Sequence, residues 1–256
     1  MTSSKSSAFT PATARIESIY AAHPGGVDQL TQLFEGKTRV YIDYANVRPW
    51  SDKLKWHVDP KRLMQFYKSF AAIDEVSLYN GTLVGDQASE KDAHDMNRLG
   101  HRFRTKPVKI MRHSIDASSV SKQSTDLISQ FVRRALLRKL DVGTVEYLND
   151  KLYELNTKGT YYIEDKKCNF DVEIGTDMLL ASERDEAQTF CLWSADSDFA
   201  DSVEQLLDHG YHVILFATPR RVSSELNDLR SKGLFIFDIA KIRNFICWRR
   251  EITVKK

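Results

Sequence analysis

The sequence predicts an α/β protein: three α/β/α layers around a parallel central sheet, with a helical insertion. Three observations carry this. Short apolar, β-rich runs recur along the chain, stretches with helical periodicity separate them, and one long segment near the middle breaks the alternation. Strands this apolar are buried on both faces, as in parallel sheets, and the helices between them imply right-handed βαβ units.

The elements follow in order. "MTSSKSSAFTPATAR" is Ser, Thr and Ala rich with no acid before Glu17, a composition shared by transit peptides but read here as a disordered tail that leads into a helical extension ending near residue 36. "TRVYIDYA" is the first strand. In "DPKRLMQFYKSF" Asp59 caps, Pro60 suits the first turn, and Leu63, Phe66, Tyr67 and Phe70 recur on one face. "EVSLYNG" is a strand, "ASEKDAHDMNRLG" a helix stopped by Gly100, and "PVKIMRH" a third strand. After the insertion come the helix "DVEIGTDMLLAS", the strand "QTFCLWSA", the helix "DFADSVEQLLDHG" stopped by Gly210, and the strand "YHVILFA". The helix "SSELNDLRSKG" and the strand "LFIFDI" close the alternation, which spans 37–113 and 169–247. A short basic tail, 248–256, follows.

The insertion, 114–168, is expected to be helical. "STDLISQFVRRALLRKL" puts Leu127, Ile128, Phe131, Val132, Ala135 and Leu136 on one face and crowds Arg133, Arg134, Arg138 and Lys139 into its second half; "TVEYLNDKLYEL" repeats Leu148, Leu152 and Leu155. Those basic residues either favour a helix C-terminus or extend a positive surface. The insertion is also the place for a second copy or a protein partner.

Composition excludes several classes. The 256 residues, 42% hydrophobic and 28% charged, suit a globular protein with a sizeable core. No apolar window is long enough to span a membrane. Cys168, Cys191 and Cys247 are too scattered for a zinc pattern or a disulfide framework, which fits a reducing, cytoplasmic setting. Net charge is only +2, yet Met96 to Ile115 carries Arg98, Arg102, Arg104, Lys106, Lys109 and Arg112 with no acid. That run is either a solvated face or a nucleic-acid footprint.

The chemistry concentrates in "LWSADSDFADSV". Asp196 and Asp198 directly follow an apolar strand, and Asp43, with Asn46 three residues on, directly follows the first. In an open parallel sheet ligands bind beyond the carboxyl ends of the strands, so these acids share one rim. "NFDVEIGTDMLLAS" adds Asp171 at the helix start and Asp177 inside it. Six residues is about 240° of helix, so the two cannot share a face if both are helical. Converging carboxylates repel, and a divalent cation relieves them; oxygen-only donors favour Mg²⁺ or Mn²⁺, the ions that activate water against a phosphodiester. Taken singly, each Asp is more often a helix cap or loop acid; taken together, at matching strand ends, they favour the metal site.

Around this rim, "RPWSDKLKWH" carries Arg48, Lys53 and Lys55 with Trp50 and Trp56, which either grip phosphates while stacking on unpaired bases or, for the two Trp rings, close the edge of the core. Arg220 and Arg221, after the fifth strand, face the same rim and open a helix.

At these motifs the chain resembles the NYN domain proteins, a branch of the PIN-like nucleases, from about Thr38 to Phe245 apart from the insertion. "YIDYANV", "LYNGTL", "FDVEIGTDML", "SADSDFADSV" and "SSELNDL" followed by "FIFDI" occur in the family's order, with Ala195 where the family often has Gly. The resemblance implies a metal-dependent ribonuclease fold with Asp43, Asp177, Asp196 and Asp198 as the acidic, metal-holding centre and Asn46, Asp171 and Ser194 in support. Arg48, Trp50, Lys55, Trp56, Arg102, Arg104, Arg220 and Arg221 are the candidates for binding nucleic acid, expected to be RNA. Two functions follow: an endoribonuclease using metal-activated water, or an RNA-binding or adaptor module that keeps the acidic pocket without turnover.

Overall fold

The computed structural model describes residues 8–47 and 57–248, apart from 116, 118, 119, 122, 127, 131, 160, 161, 219 and 220. The chain divides into two compact units, one comprising Met1–Pro107 with Cys168–Lys256 and the other Val108–Lys167. Its strands are β1 (Thr38–Asp43), β2 (His57–Val58), β3 (Ile73–Tyr79), β4 (Arg102–Arg104), β5 (Lys109–Ser114), β6 (Tyr162–Lys167), β7 (Thr189–Trp193), β8 (His212–Ala217), β9 (Phe235–Asp238) and β10 (Cys247–Trp248).

In the first unit, six strands form a sheet in the order β4-β3-β1-β7-β8-β9, and every neighbouring pair is parallel. The α/β fold with a parallel sheet is therefore as the sequence predicts. Strand alternation fills two cores. Val40 and Ile42 of β1 join Leu78, Trp193, Ile214 and Phe216 on one face, where the helices Ala14–Ala22, Gly25–Leu33 and Pro60–Tyr67 contribute Ile16, Leu30, Leu63 and Phe66. Tyr41 points the other way, with Tyr79, Phe190, Leu192 and Leu215, against Ile174 and Met178 of the helix Asp171–Glu183 and Val203 and Leu206 of Ala200–Asp208. Those last two helices pack closely: a Cβ at Gly175 would come within 2.6 Å of Ser202 Oγ.

Local signals behave as expected at several ends. Asp59 caps Pro60–Tyr67 by accepting from the Lys61 and Arg62 N–H groups, and Gly100 ends Gln87–Leu99 with φ 98°, a left-handed conformation that glycine adopts without a steric penalty. The N-terminal stretch differs from a free tail. Phe9 packs on Tyr20 and Phe70, each with ring centroids 4.9 Å apart, and the Thr10 N–H donates to the Ser69 carbonyl, so residues 9 and 10 are tied to the sheet's first crossover.

The third strand also differs. The central sheet takes Arg102–Arg104, while Lys109–Ser114 pairs antiparallel with Tyr162–Lys167 in the second unit. The periodicity of "PVKIMRH" marks a strand but carries nothing about its partner, and β5 is exposed along its length. In that unit Asp141 caps the helix Val142–Thr157 as a helix signal should, and the Asn149 amide donates to the Ser121 and Ser124 carbonyls. The longer helix expected over 124–140 is reduced to a 3₁₀ turn, Ile128–Gln130, and the single turn Arg134–Leu137. Ile128 of the expected face is buried, but Leu136 is 52% exposed, so the second half has less to pack against, and short helices without a packed face are marginal; Leu127 and Phe131 lie outside the described residues. No helix among the described residues is long and apolar enough to cross a membrane.

Candidate metal centre

The strand order creates the site. From β1 the chain runs outward through β3 and β4, then returns to place β7 on the other side of β1 and runs on through β8 and β9. The reversal between β1 and β7 is the topological switch point, where an open parallel sheet leaves a crevice beyond its carboxyl ends. Asp43 ends β1 there and is 3% exposed. Ser194, Ala195 and Asp196 follow directly from β7.

Three carboxylates converge at this edge. Oxygen atoms of Asp171, Asp196 and Asp198 all lie within 4.8 Å of one another. Each is fixed by local structure. Asp171 is the first residue of the helix Asp171–Glu183, and its N–H donates to Asn169 Oδ1 at 2.9 Å. The Asp196 carboxylate accepts from the Asp198 N–H at 3.3 Å, capping the 3₁₀ turn Ser197–Phe199. Fully buried Ser194 accepts the Asp196 N–H through Oγ at 3.4 Å. Burial raises the Asp171 carboxyl above its ordinary range; the Asn169 contact opposes this, and the charges of Asp196 and Asp198 add to it. A cation among the three would relieve the cost of the Asp171 charge, and their oxygen-only donor set fits a hard divalent ion.

Asp177, expected among the ligands, lies outside this trio. Being helical, it faces away from Asp171, as six residues of helix require, and meets the ends of β3 and β4 instead. The Tyr79 hydroxyl donates to its Oδ2 at 2.5 Å and the Arg104 guanidinium grips the same carboxylate. One turn earlier Glu173 pairs with Lys106, whose ammonium also sits 4.7 Å from the centre of the Phe170 ring. Burial works against the Glu173 charge, but Lys106, a backbone N–H and Arg104 together lower the carboxyl. Register explains the arrangement. Asp43 pairs with Tyr79 and Tyr79 with Arg104, so three adjacent strands end in one row.

Two arginines of the basic run have acidic partners within this unit. Arg104 holds Asp177, and Arg102 donates to Glu75 at 3.0 Å. Arg221 is exposed in the loop between β8 and the five-residue helix Ser224–Asp228. Asn46 belongs to the short helix Tyr44–Val47; Arg48, Trp50, Lys55, Trp56 and Arg220 lie outside the described residues. Sequence reasoning missed Tyr79 as a site residue, although a hydroxyl ending the apolar run "EVSLY" at a strand's carboxyl end was the available signal.

Comparison with known proteins gives three findings. Residues 37–238 match the model of the NYN domain. Low amplitude and bright protein LabA of Synechococcus elongatus is 22% identical over 208 residues, covering 81% of this chain and 86% of that one. The crystal structure of a protein of unknown function from Vibrio parahaemolyticus aligns with 84% of this chain and 98% of its own, at 14% identity and a TM-score of 0.49.

Proposed function

Because the chain belongs to the NYN domain family, whose domain implies a PIN-like nuclease fold, we infer that it is a metal-dependent endoribonuclease acting at the switch-point rim. The supporting observation is the convergence of Asp171, Asp196 and Asp198 there. These three would hold Mg²⁺ or Mn²⁺; Asp43, expected among the ligands, ends the neighbouring strand β1 and is not one of the converging trio. A divalent ion at this position supplies a nucleophile at neutral pH and screens the charge that builds on the scissile phosphate. The protein's part is orientation. Ser194 and the Asp196 cap fix the double-Asp turn, Asn169 fixes Asp171, and Arg104 with Tyr79 anchors Asp177 so that the helix carrying Asp171 stays seated on β3 and β4.

One observation favours the alternative, an RNA-binding or adaptor module without turnover. Arg104 already neutralises Asp177, so the acidic set facing a cation is smaller than the family resemblance implies. Incubation with end-labelled single-stranded RNA and DNA, with Mg²⁺ or Mn²⁺ and with chelator, separates the readings. Metal-dependent cleavage within the RNA strand is expected. Cleavage that persists in chelator excludes this mechanism, and binding without cleavage under every ion supports the module.

A further inference from the structure

On the opposite face of the sheet from the helix Asp171–Glu183, the His57 and Trp248 rings stack with centroids 4.9 Å apart and planes at 28°. They pair across β2 and β10, a two-stranded ladder outside the central sheet. Trp248 is 38% exposed, an unusual position for the largest apolar side chain. Arginines hold the stretch of chain that leads into it. Arg62 donates to the Cys247 carbonyl at 2.6 Å and Arg15 to the Phe245 carbonyl at 2.8 Å. Arg243 opens the short helix that leads into β10. Burial and then the nearby Arg62 disfavour the Arg15 charge, and the thiol of Cys247 feels both Arg243 and Arg62. Asp59 offsets part of this charge, but its carboxylate also caps the helix Pro60–Tyr67.

Topology places this group at the active edge. A crossover helix runs antiparallel to the strands it joins, so Pro60, the first residue of the helix between β1 and β3, lies at the carboxyl end of the sheet with Asp43. The Asp59 N–H donates to the Ile246 carbonyl at 2.9 Å, which ties β10 to the same end. A partly exposed aromatic stack with arginines along the adjoining backbone matches one ligand chemistry: an unpaired base on the stack and its phosphates on the guanidiniums. A duplex keeps its bases stacked inside and has no free base to offer.

We propose that the His57–Trp248 stack, with Arg62 and Arg243 beside it, is a base-stacking platform for single-stranded nucleic acid outside the acidic centre. The proposal rests on the reading that this chain handles nucleic acid and is independent of whether it cleaves. Fluorescence anisotropy with labelled single-stranded RNA, single-stranded DNA and duplex RNA, in chelator, tests it on the full chain. Trp248→Ala is expected to weaken single-strand binding roughly tenfold and leave duplex binding unchanged, while Trp248→Phe stays within about threefold of wild type. His57→Ala should lower single-strand affinity severalfold and decides the matter if Trp248→Ala fails to fold by circular dichroism. Unchanged single-strand affinity in the folded variants overturns the platform, as does an equal loss on single strand and duplex. If wild type binds no single strand at all, the nucleic-acid reading falls with it; if wild type binds and the variants match it, only the platform falls.

Discussion

The Tyr79 hydroxyl donates to Asp177 Oδ2 at 2.5 Å, joining the end of β3 to the middle of the helix whose first residue is Asp171. Burial and then this hydrogen bond hold the hydroxyl protonated well above its usual range, and Arg104 closes on the same carboxylate from the next strand. Two aspartates on one helix therefore have opposite electrostatic situations: Asp177 is matched by a cation, and Asp171 faces other acids.

Asp177→Asn is expected to destabilise the metal-free protein. The change leaves Arg104 without its charge partner in a half-buried setting. The loss should be about 1 kcal/mol, at the low end for a charged hydrogen bond because Arg104 remains partly in water. Urea denaturation of wild type and variant in chelator measures it, and an unchanged or raised midpoint contradicts the role given to Arg104.

Asp171→Asn should do the reverse. A carboxyl raised in the folded state contributes stability that is fully present below its unfolded value, about 4, and lost as pH rises through the folded one. At pH 7 the charged carboxylate is therefore a cost in the metal-free fold. The variant should melt higher than wild type in chelator, and added Mg²⁺ or Mn²⁺ should raise the melting temperature of wild type more than that of the variant. Equal metal shifts in both proteins would remove Asp171 from the centre.

His101 sets a pH dependence elsewhere. It is 3% exposed, its Nε2 meets the Pro60 carbonyl at 3.0 Å, and burial lowers its basicity. The unfolded chain takes up the proton first, so stability is complete above the unfolded value of about 6.5 and declines as pH falls through it. Denaturation midpoints at pH 7.5, 6.5 and 5.5 should fall in wild type, and this slope should be shallower in His101→Gln. Parallel slopes in the two proteins would show that His101 is not the group responsible.

Asp196→Asn and Asp43→Asn should each reduce RNA cleavage by roughly two orders of magnitude or more and leave affinity within a few-fold. Carboxylates at the centre serve the chemical step, whereas most affinity for nucleic acid comes from phosphate contacts made elsewhere. Turnover within about tenfold of wild type in both variants would set the proposed mechanism aside.

By itself the sequence determined the alternation of strands and helices, the caps at Asp59 and Gly100, and the placement of Asp43, Asp196 and Asp198 at strand ends. All of these depend on residues near one another in the chain, through side-chain periodicity, backbone preference or a local hydrogen bond. Only the tertiary structure decided which neighbours those residues meet. The short strand Arg102–Arg104 carries too little periodicity to be read, yet pairing with β3 brings Arg104 to Asp177, a partner far away in the chain. "PVKIMRH" read correctly as a strand, but a strand's own pattern does not name its partner, and β6 drew it into the second unit. Asp171, expected to support the centre, joins Asp196 and Asp198 in it, while Asp177 turns toward Tyr79, because helix phase and strand register, set by packing across the sheet, fix where each carboxylate points.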